Sequence, residues 1–239
     1  ALLISTISAA AMFVVMTTRS IEPRELKLVE CIVPDGEIRT VVLPDSSIVK
    51  VNSGSILVYP QSFGERRDVY LNGEAYFSVT KNEKAPFRVK TTDMDVEVLG
   101  TVFNVASYAD DDKSTTTLQS GKVNVKFHKT NRIVTLAPNE EVVCDRYSNG
   151  VEKRLAKVEH TIAWIDGDLV IQSMTIEEIA KVIERKYGVR TYLNSNKYKN
   201  EKITMKASNG ESVEAFMSIL KYLVPRLKYR FEGDNLYIY

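Results

Sequence analysis

Apolar residues follow three different rhythms along this chain. From Ala1 to Thr18 they run on without a charge, until Arg19. As a helix, that run spans ~27 Å, near the ~30 Å hydrocarbon core of a bilayer. It is expected to be a transmembrane helix. A signal-peptide core, with small residues at Ala9 to Ala11, and a buried helix are the competing readings. Residues 19–30 read as a charged tether.

From Cys31 to Asn149 the rhythm is that of β-structure. Short apolar or alternating runs occupy Ile38–Leu43, Ile48–Val51, Ser55–Tyr59, Val69–Leu71, Ala75–Val79 and Phe87–Lys90. They continue at Val96–Leu99, Phe103–Ser107, Thr115–Leu118, Val123–Phe127, Arg132–Leu136 and Glu141–Cys144. Pro44-Asp45, Asn52-Ser53-Gly54, Asn72-Gly73, Asp110-Asp111-Asp112 and Ser120-Gly121 supply turn chemistry between them. A loose repeat links Leu71–Val79 with Leu118–Val125: strand end, glycine turn, alternating strand. Short strands with a weak repeat suit a β-solenoid or a compact sandwich, and the solenoid is the expectation.

After a connector at 150–166 the period changes again. Thr175 reads as an N-cap with Glu178 completing a capping box. Ile176, Ile179, Ala180, Val182, Ile183 and Tyr187 form one apolar stripe, and Gly188 stops the helix. Val189–Leu193 and Ile203–Lys206 read as strands. Ser212 caps a second helix that Pro225 ends, and Leu227–Phe231 with Leu236–Tyr239 form a hairpin. Residues 167–239 are thus expected to be a small β-α-β-β-α-β-β module with both helices on one sheet. The fold class is mainly β with an α+β tail.

Composition narrows the function. Of 239 residues, 44% are hydrophobic and 26% charged, an ordinary globular balance. Lys plus Arg is 32 against 31 Asp plus Glu, so no nucleic-acid partner is expected. Histidine occurs only at His128 and His160 and cysteine only at Cys31 and Cys144, with no CxxC. Phosphate-cradling and nucleophile-elbow motifs are missing too. No cofactor, no metal site and no enzyme is expected. In an exported chain Cys31 and Cys144 are either bridged or two separate buried thiols.

Several blocks in order resemble the FecR-type regulators. Leu43-Pro44-Asp45-Ser46-Ser47, Val51-Asn52, Ser55 and Tyr59-Pro60 resemble their opening, LPDGS…LN…S…YP. Leu71 to Val79, Ala85-Pro86-Phe87 and Val98 to Val105 are similar to their GEAYFxV, PFxV and VLGTxFNV blocks. Trp164 to Leu169 resembles the WxxGxL junction. Residues 167–239 resemble the C-terminal domain of Bacteroidetes members, related to the short N-terminal modules of secretins and TonB-dependent transporters.

The resemblance implies a single-pass inner-membrane anti-sigma factor with 31–149 as a FecR-type domain in the periplasm. Its C-terminal part would bind the signalling domain of a TonB-dependent outer-membrane transporter. Envelope proteases would then free a cytoplasmic sigma factor. The family holds that sigma factor through a cytoplasmic helical domain, to which no stretch of this sequence corresponds. The alternative is an exported envelope module docking to a channel or glycan without a sigma factor.

Two sets of residues carry candidate chemistry. Some FecR-type proteins cleave themselves at a Gly-Thr, matched here by Gly100-Thr101. The threonine hydroxyl would attack the preceding carbonyl, with proximity supplying much of the rate. The competing role is a tight corner at Gly100 capped by Thr101. Tyr229, Phe231, Tyr237 and Tyr239 alternate in the hairpin, as an edge offered to a partner or as the inner face of the sheet. Asp110-Asp111-Asp112 reads as a solvated tip, Arg66-Arg67 as surface, and Asp93, Asp95 and Glu97 as one solvent face.

Overall fold

The computed structural model describes residues 27–194 and 201–239. The apolar run 1–18 and nearly all of the tether lie outside them. Among the described residues no helix is long and apolar enough to cross a membrane.

The first part of the chain is a 13-stranded, nearly closed barrel-like sheet. Its strands are β1 (Leu28–Ile32), β2 (Arg39–Val42), β3 (Ile48–Val51), β4 (Ile56–Pro60), β5 (Arg67–Ser78), β6 (Phe87–Lys90) and β7 (Met94–Val98). They continue as β8 (Val102–Ser107), β9 (Lys113–Ser120), β10 (Val123–Phe127), β11 (Ile133–Leu136), β12 (Glu140–Asp145) and β13 (Val151–Leu155). One layer runs β11-β10-β7-β6-β5-β4-β1 and the other β2-β3-β5-β8-β9-β12-β13. Strand β13 extends the second layer where the sequence reads as connector, by pairing with β12.

The 12-residue β5 belongs to both layers. Its first half pairs with β4 and β6, its second half with β3 and β8. The crossing falls at Gly73, whose φ is 126°. A Cβ there would lie 2.2 Å from Ser55 Oγ, so only glycine fits. Asn72-Gly73 is therefore a bend within one strand and not a turn between two. The expected solenoid does not form: β5–β6 is a parallel pair, and the other pairings in these layers are antiparallel. The loose repeat has another cause. Its second copy places Gly121, φ 94°, between β9 and β10, again where the chain changes layer.

Alternate residues of β5 point inward, and Phe77 meets Phe103 and Phe87 at ring separations of 5.1 Å and 6.1 Å. Burying each such side chain contributes about 1.5–3 kcal/mol. Arg67 is not on the surface; it is 2% exposed at the start of β5. Its guanidinium donates to Asp45 Oδ2 at 2.7 Å and to the carbonyls of Ala85 and Thr80 at 2.7 and 2.8 Å. Asp45 also accepts from the Ser47 amide at 3.0 Å and the Ser47 hydroxyl at 2.8 Å. The Leu43–Ser47 block is thus a turn wrapped around a buried ion pair.

A short helix α1 (Val158–Thr161) and a 3-10 turn (Ala163–Asp166) lead into the second part. It comprises β14 (Leu169–Met174), α2 (Ile176–Tyr187), β15 (Arg190–Leu193), β16 (Ile203–Ala207), α3 (Val213–Leu223), β17 (Tyr229–Glu232) and β18 (Asn235–Ile238). Thr175 and Glu178 make the capping box, and the Ser212 side chain accepts from the Ala215 amide. The strands do not form one sheet. They split into an antiparallel pair β14-β16 and a sheet β15-β18-β17. Ile179 and Ile183 of α2, Phe216 and Leu220 of α3, and Leu236 and Ile238 of β18 share one core.

Candidate functional site: an interdomain clasp and cleft

The acidic tip Asp110-Asp111-Asp112 joins β8 to β9 and is not a free loop. Arg146, just after β12, donates to the carbonyls of Tyr108, Ala109 and Asp111 beneath it. Arg146 is itself fixed by Asp93 at 2.7 Å, with Ser107 and Ser114 also donating to that carboxylate. Although burial opposes it, hydrogen bonds from Arg146 and Ser114 hold the Asp93 carboxyl below the usual range. Asp93 is therefore largely sequestered, unlike the solvent-facing position expected of it.

The tip grips α2. Arg185 Nη1 lies 3.3 Å from Asp110 Oδ1 and 3.0 Å from Asp111 Oδ1, and its guanidinium sits over the Tyr108 ring. Lys181 pairs with Asp112 at 3.6 Å, and Lys113 with Glu178 at 3.1 Å. The Gly36 amide donates to the Arg185 carbonyl at 2.7 Å. Glu178, Lys181 and Arg185 stand three and four residues apart, so one stripe of α2 makes all three ionic contacts. Burial works against the charge of Arg185, but the Asp111 carboxylate outweighs it and holds the guanidinium above its ordinary value. Burial, reinforced by Glu74, pushes the Tyr108 phenol up, and its hydroxyl donates to the Ser53 carbonyl at 2.9 Å.

Between the two parts lies a cleft of about 740 Å³. Its floor is the outer face of the second layer, with Asn52, Glu74, Asn104 and Thr115. Its roof is the 3-10 turn with Trp164, the start of β14, and α2. Glu74 lies beneath the second domain with part of its surface open to the cleft. Its Oε2 accepts from Asn52 Nδ2 at 2.8 Å and its Oε1 from Asn104 Nδ2 at 2.9 Å. Burial outweighs these bonds and raises the Glu74 carboxyl above its usual value.

The residues singled out from sequence lie elsewhere. Gly100 occupies the corner between β7 and β8, where a Cβ would come 2.5 Å from Lys81 Cα. Thr101 is 4% exposed, and its hydroxyl donates to the Lys122 carbonyl at 3.0 Å. The four hairpin aromatics divide between two faces. Tyr229 and Phe231 turn inward onto the core, edge to face at 5.9 Å. Tyr237 faces outward, stacked on Tyr192 at 5.0 Å with the Arg230 guanidinium 5.1 Å from its ring. Tyr239 follows at 40% exposure. Among the described residues β17 pairs only with β18, which leaves its outer edge open. Tyr192 and the α2 stripe were missed; the signals were alternation in β15 and charge spacing in α2. Cys31 and Cys144 are free, half-buried thiols. Among the described residues no three His, Cys, Asp or Glu side chains are grouped to hold a metal ion.

Two family models match the chain: FecR protein over residues 30–124, and FecR, C-terminal, over residues 168–238. The fold is similar to crystal structures of a candidate anti-sigma factor from Parabacteroides distasonis ATCC 8503. The structure at 1.65 Å is 31% identical with a TM-score of 0.83, covering 88% of this chain and 98% of that one. The structure at 2.50 Å is 31% identical with a TM-score of 0.84, covering 89% and 99%. No protein of curated function matches.

Proposed function

The chain belongs to the FecR family of anti-sigma factors, and from that premise we propose that it is the sensing part of a membrane-anchored member. In this reading residues 1–18 cross the inner membrane and the bulk of the chain stands in the periplasm. The C-terminal module receives the signalling domain of a TonB-dependent outer-membrane transporter. Envelope proteolysis then releases a cytoplasmic sigma factor. The chain works by contact and by being cut, not by turning over a substrate.

One observation carries the receiving role. The C-terminal module has a held side and a free side. On the held side, α2 is tied to the β domain through Arg185 and Asp111. On the free side, Tyr192, Tyr237 and Arg230 form an aromatic–cation row across an exposed sheet face. Tyrosine and arginine are the residue types that anchor protein interfaces. The open β17 edge beside them suits an added strand. Tyr229 and Phe231 serve as the inner support of that edge, and Tyr237 and Tyr239 as its contacts. A partner seated there pulls on the module that the clasp connects to the β domain.

The test is a photo-crosslinking amino acid at Tyr237 of the full chain in native envelopes, with captured proteins read by mass spectrometry. The same crosslinker at Tyr147, 80% exposed on the β domain, is the control. Capture at Tyr237 alone of a TonB-dependent transporter carrying a periplasmic signalling domain is the expected result. Capture of only an unrelated channel leaves the family standing and overturns the relay.

A further inference from the structure

We infer that the cleft between the two domains binds a neutral saccharide, a role separate from any protein contact on the Tyr237 face. The cleft holds about 740 Å³, inside the roughly 300–1,000 Å³ of small-molecule sites. It is bounded on both sides by ordered elements.

The charge pattern selects the ligand class. Most ions around the cleft already have ionic partners: Arg185 with Asp111 at 3.0 Å, Lys113 with Glu178 at 3.1 Å, Arg154 with Glu141 at 2.6 Å, and Asp168 with Lys206 at 2.7 Å. Of the others, Lys186 donates to the Gly167 carbonyl at 2.6 Å and Asp166 is exposed at the rim. Both oxygens of Glu74 accept from asparagine amides. Inside the cleft, away from the exposed Asp166, a charged ligand would have to break one of these contacts to find a counterion. What lacks a partner is neutral. Asn104 is 3% exposed, and its Oδ1 on the floor accepts no hydrogen bond. Trp164 Nε1 in the roof donates none. One group needs a donor and the other an acceptor, and a hydroxyl is both.

A sugar ring supplies several hydroxyls around its rim and an apolar C–H face for the Trp164 indole. Asn52 and Thr115 add further neutral hydrogen-bonding groups to the floor. The unmet atoms are shielded from bulk water. A ligand therefore reaches them by shifting the roof slightly, which moves Trp164 itself.

That movement gives the test a reporter, because Trp164 is the single tryptophan of the chain. The intact protein is titrated with glucose, galactose, N-acetylglucosamine and their disaccharides while Trp164 emission is followed. Glucuronate and glucosamine are the charged comparators. The expected result is a saturable emission change with at least one neutral sugar and none with the charged pair. Asn104→Ala weakens that binding about tenfold, the loss expected for one hydrogen bond. Trp164→Phe, which keeps an aromatic face and loses the donor, weakens it similarly by calorimetry, so the question survives if Asn104→Ala does not fold. Failure of every neutral sugar to change the emission overturns the inference. So does unaltered affinity in a folded Asn104→Ala or Trp164→Phe.

Discussion

The Arg185 guanidinium lies 3.8 Å over the ring of Tyr108 while donating to Asp111 at 3.0 Å. One side chain of the second domain is thus held from two directions by the first. Arg185 is 14% exposed and Asp111 29%, so its removal leaves a half-buried carboxylate without its main counterion. Arg185→Ala is expected to cost about 1–3 kcal/mol, between an exposed and a fully buried pair, spent on domain docking and not on either core. Calorimetry should show one unfolding transition dividing into two, with faster proteolysis between 156 and 168. Arg185→Lys keeps the charge but loses the planar fork and the stack, so it should fall between. A single unshifted transition in Arg185→Ala would show that the clasp does not couple the domains.

Ser46 adopts φ 65° in the turn that cups the Arg67–Asp45 pair. A left-handed conformation costs a non-glycine residue roughly 1–2 kcal/mol. Glycine gives back about 0.4–1 kcal/mol through its freer unfolded chain. Ser46→Gly should therefore stabilise the β domain by about 0.5–1 kcal/mol, read as a higher urea midpoint at unchanged slope. A lower midpoint would mean that the Ser46 side chain makes a contact worth more than the strain.

Much of this architecture was legible in local chemistry. The helix start at Thr175, with its Glu178 partner, depends on residues three apart, and the structure reproduces it. The strands were legible because alternation is local as well. Which strands become neighbours is not local. Gly73 read as a turn because a glycine after asparagine usually is one, and only the contact with Ser55 turns it into a layer crossing. The site was less legible for the same reason. Asp110-Asp111-Asp112 looks solvated until α2, some 70 residues later, brings Arg185 to it. Arg67 looks exposed until Asp45 and Phe87 close over it.

Thr101 tests the proposed self-cleavage. Attack of its hydroxyl on the Gly100 carbonyl would form an ester and break the amide, freeing the Thr101 amine; water then opens the ester to a Gly100 carboxylate and the Thr101 hydroxyl. Thr101→Ala should abolish the cut and Thr101→Ser should keep it, as read by intact mass of freshly made protein. Loss of the 3.0 Å bond to the Lys122 carbonyl should also cost Thr101→Ala about 1 kcal/mol. Equal clipping in the alanine variant would end the proposal and leave Gly100-Thr101 as a tight corner.

Glu74 and Asp93 bias stability in opposite directions with pH. Burial raises the Glu74 carboxyl, so the folded state holds that proton more tightly than the unfolded chain. The stability it contributes is fully present below its ordinary 4.5 and is lost as pH rises through the folded value. Arg146 and Ser114 lower Asp93 against the pull of burial, so its contribution is present above 3.8 and lost as pH falls. Glu74→Gln removes the first dependence and keeps the second. Asn104 can turn its unpaired Oδ1 toward the new amide, so the floor loses little. Urea midpoints of the two proteins should nearly coincide at pH 4 and separate as pH rises, with the glutamine variant increasingly the more stable. Parallel curves would mean that Glu74 releases its proton as readily in the folded protein as in the unfolded chain.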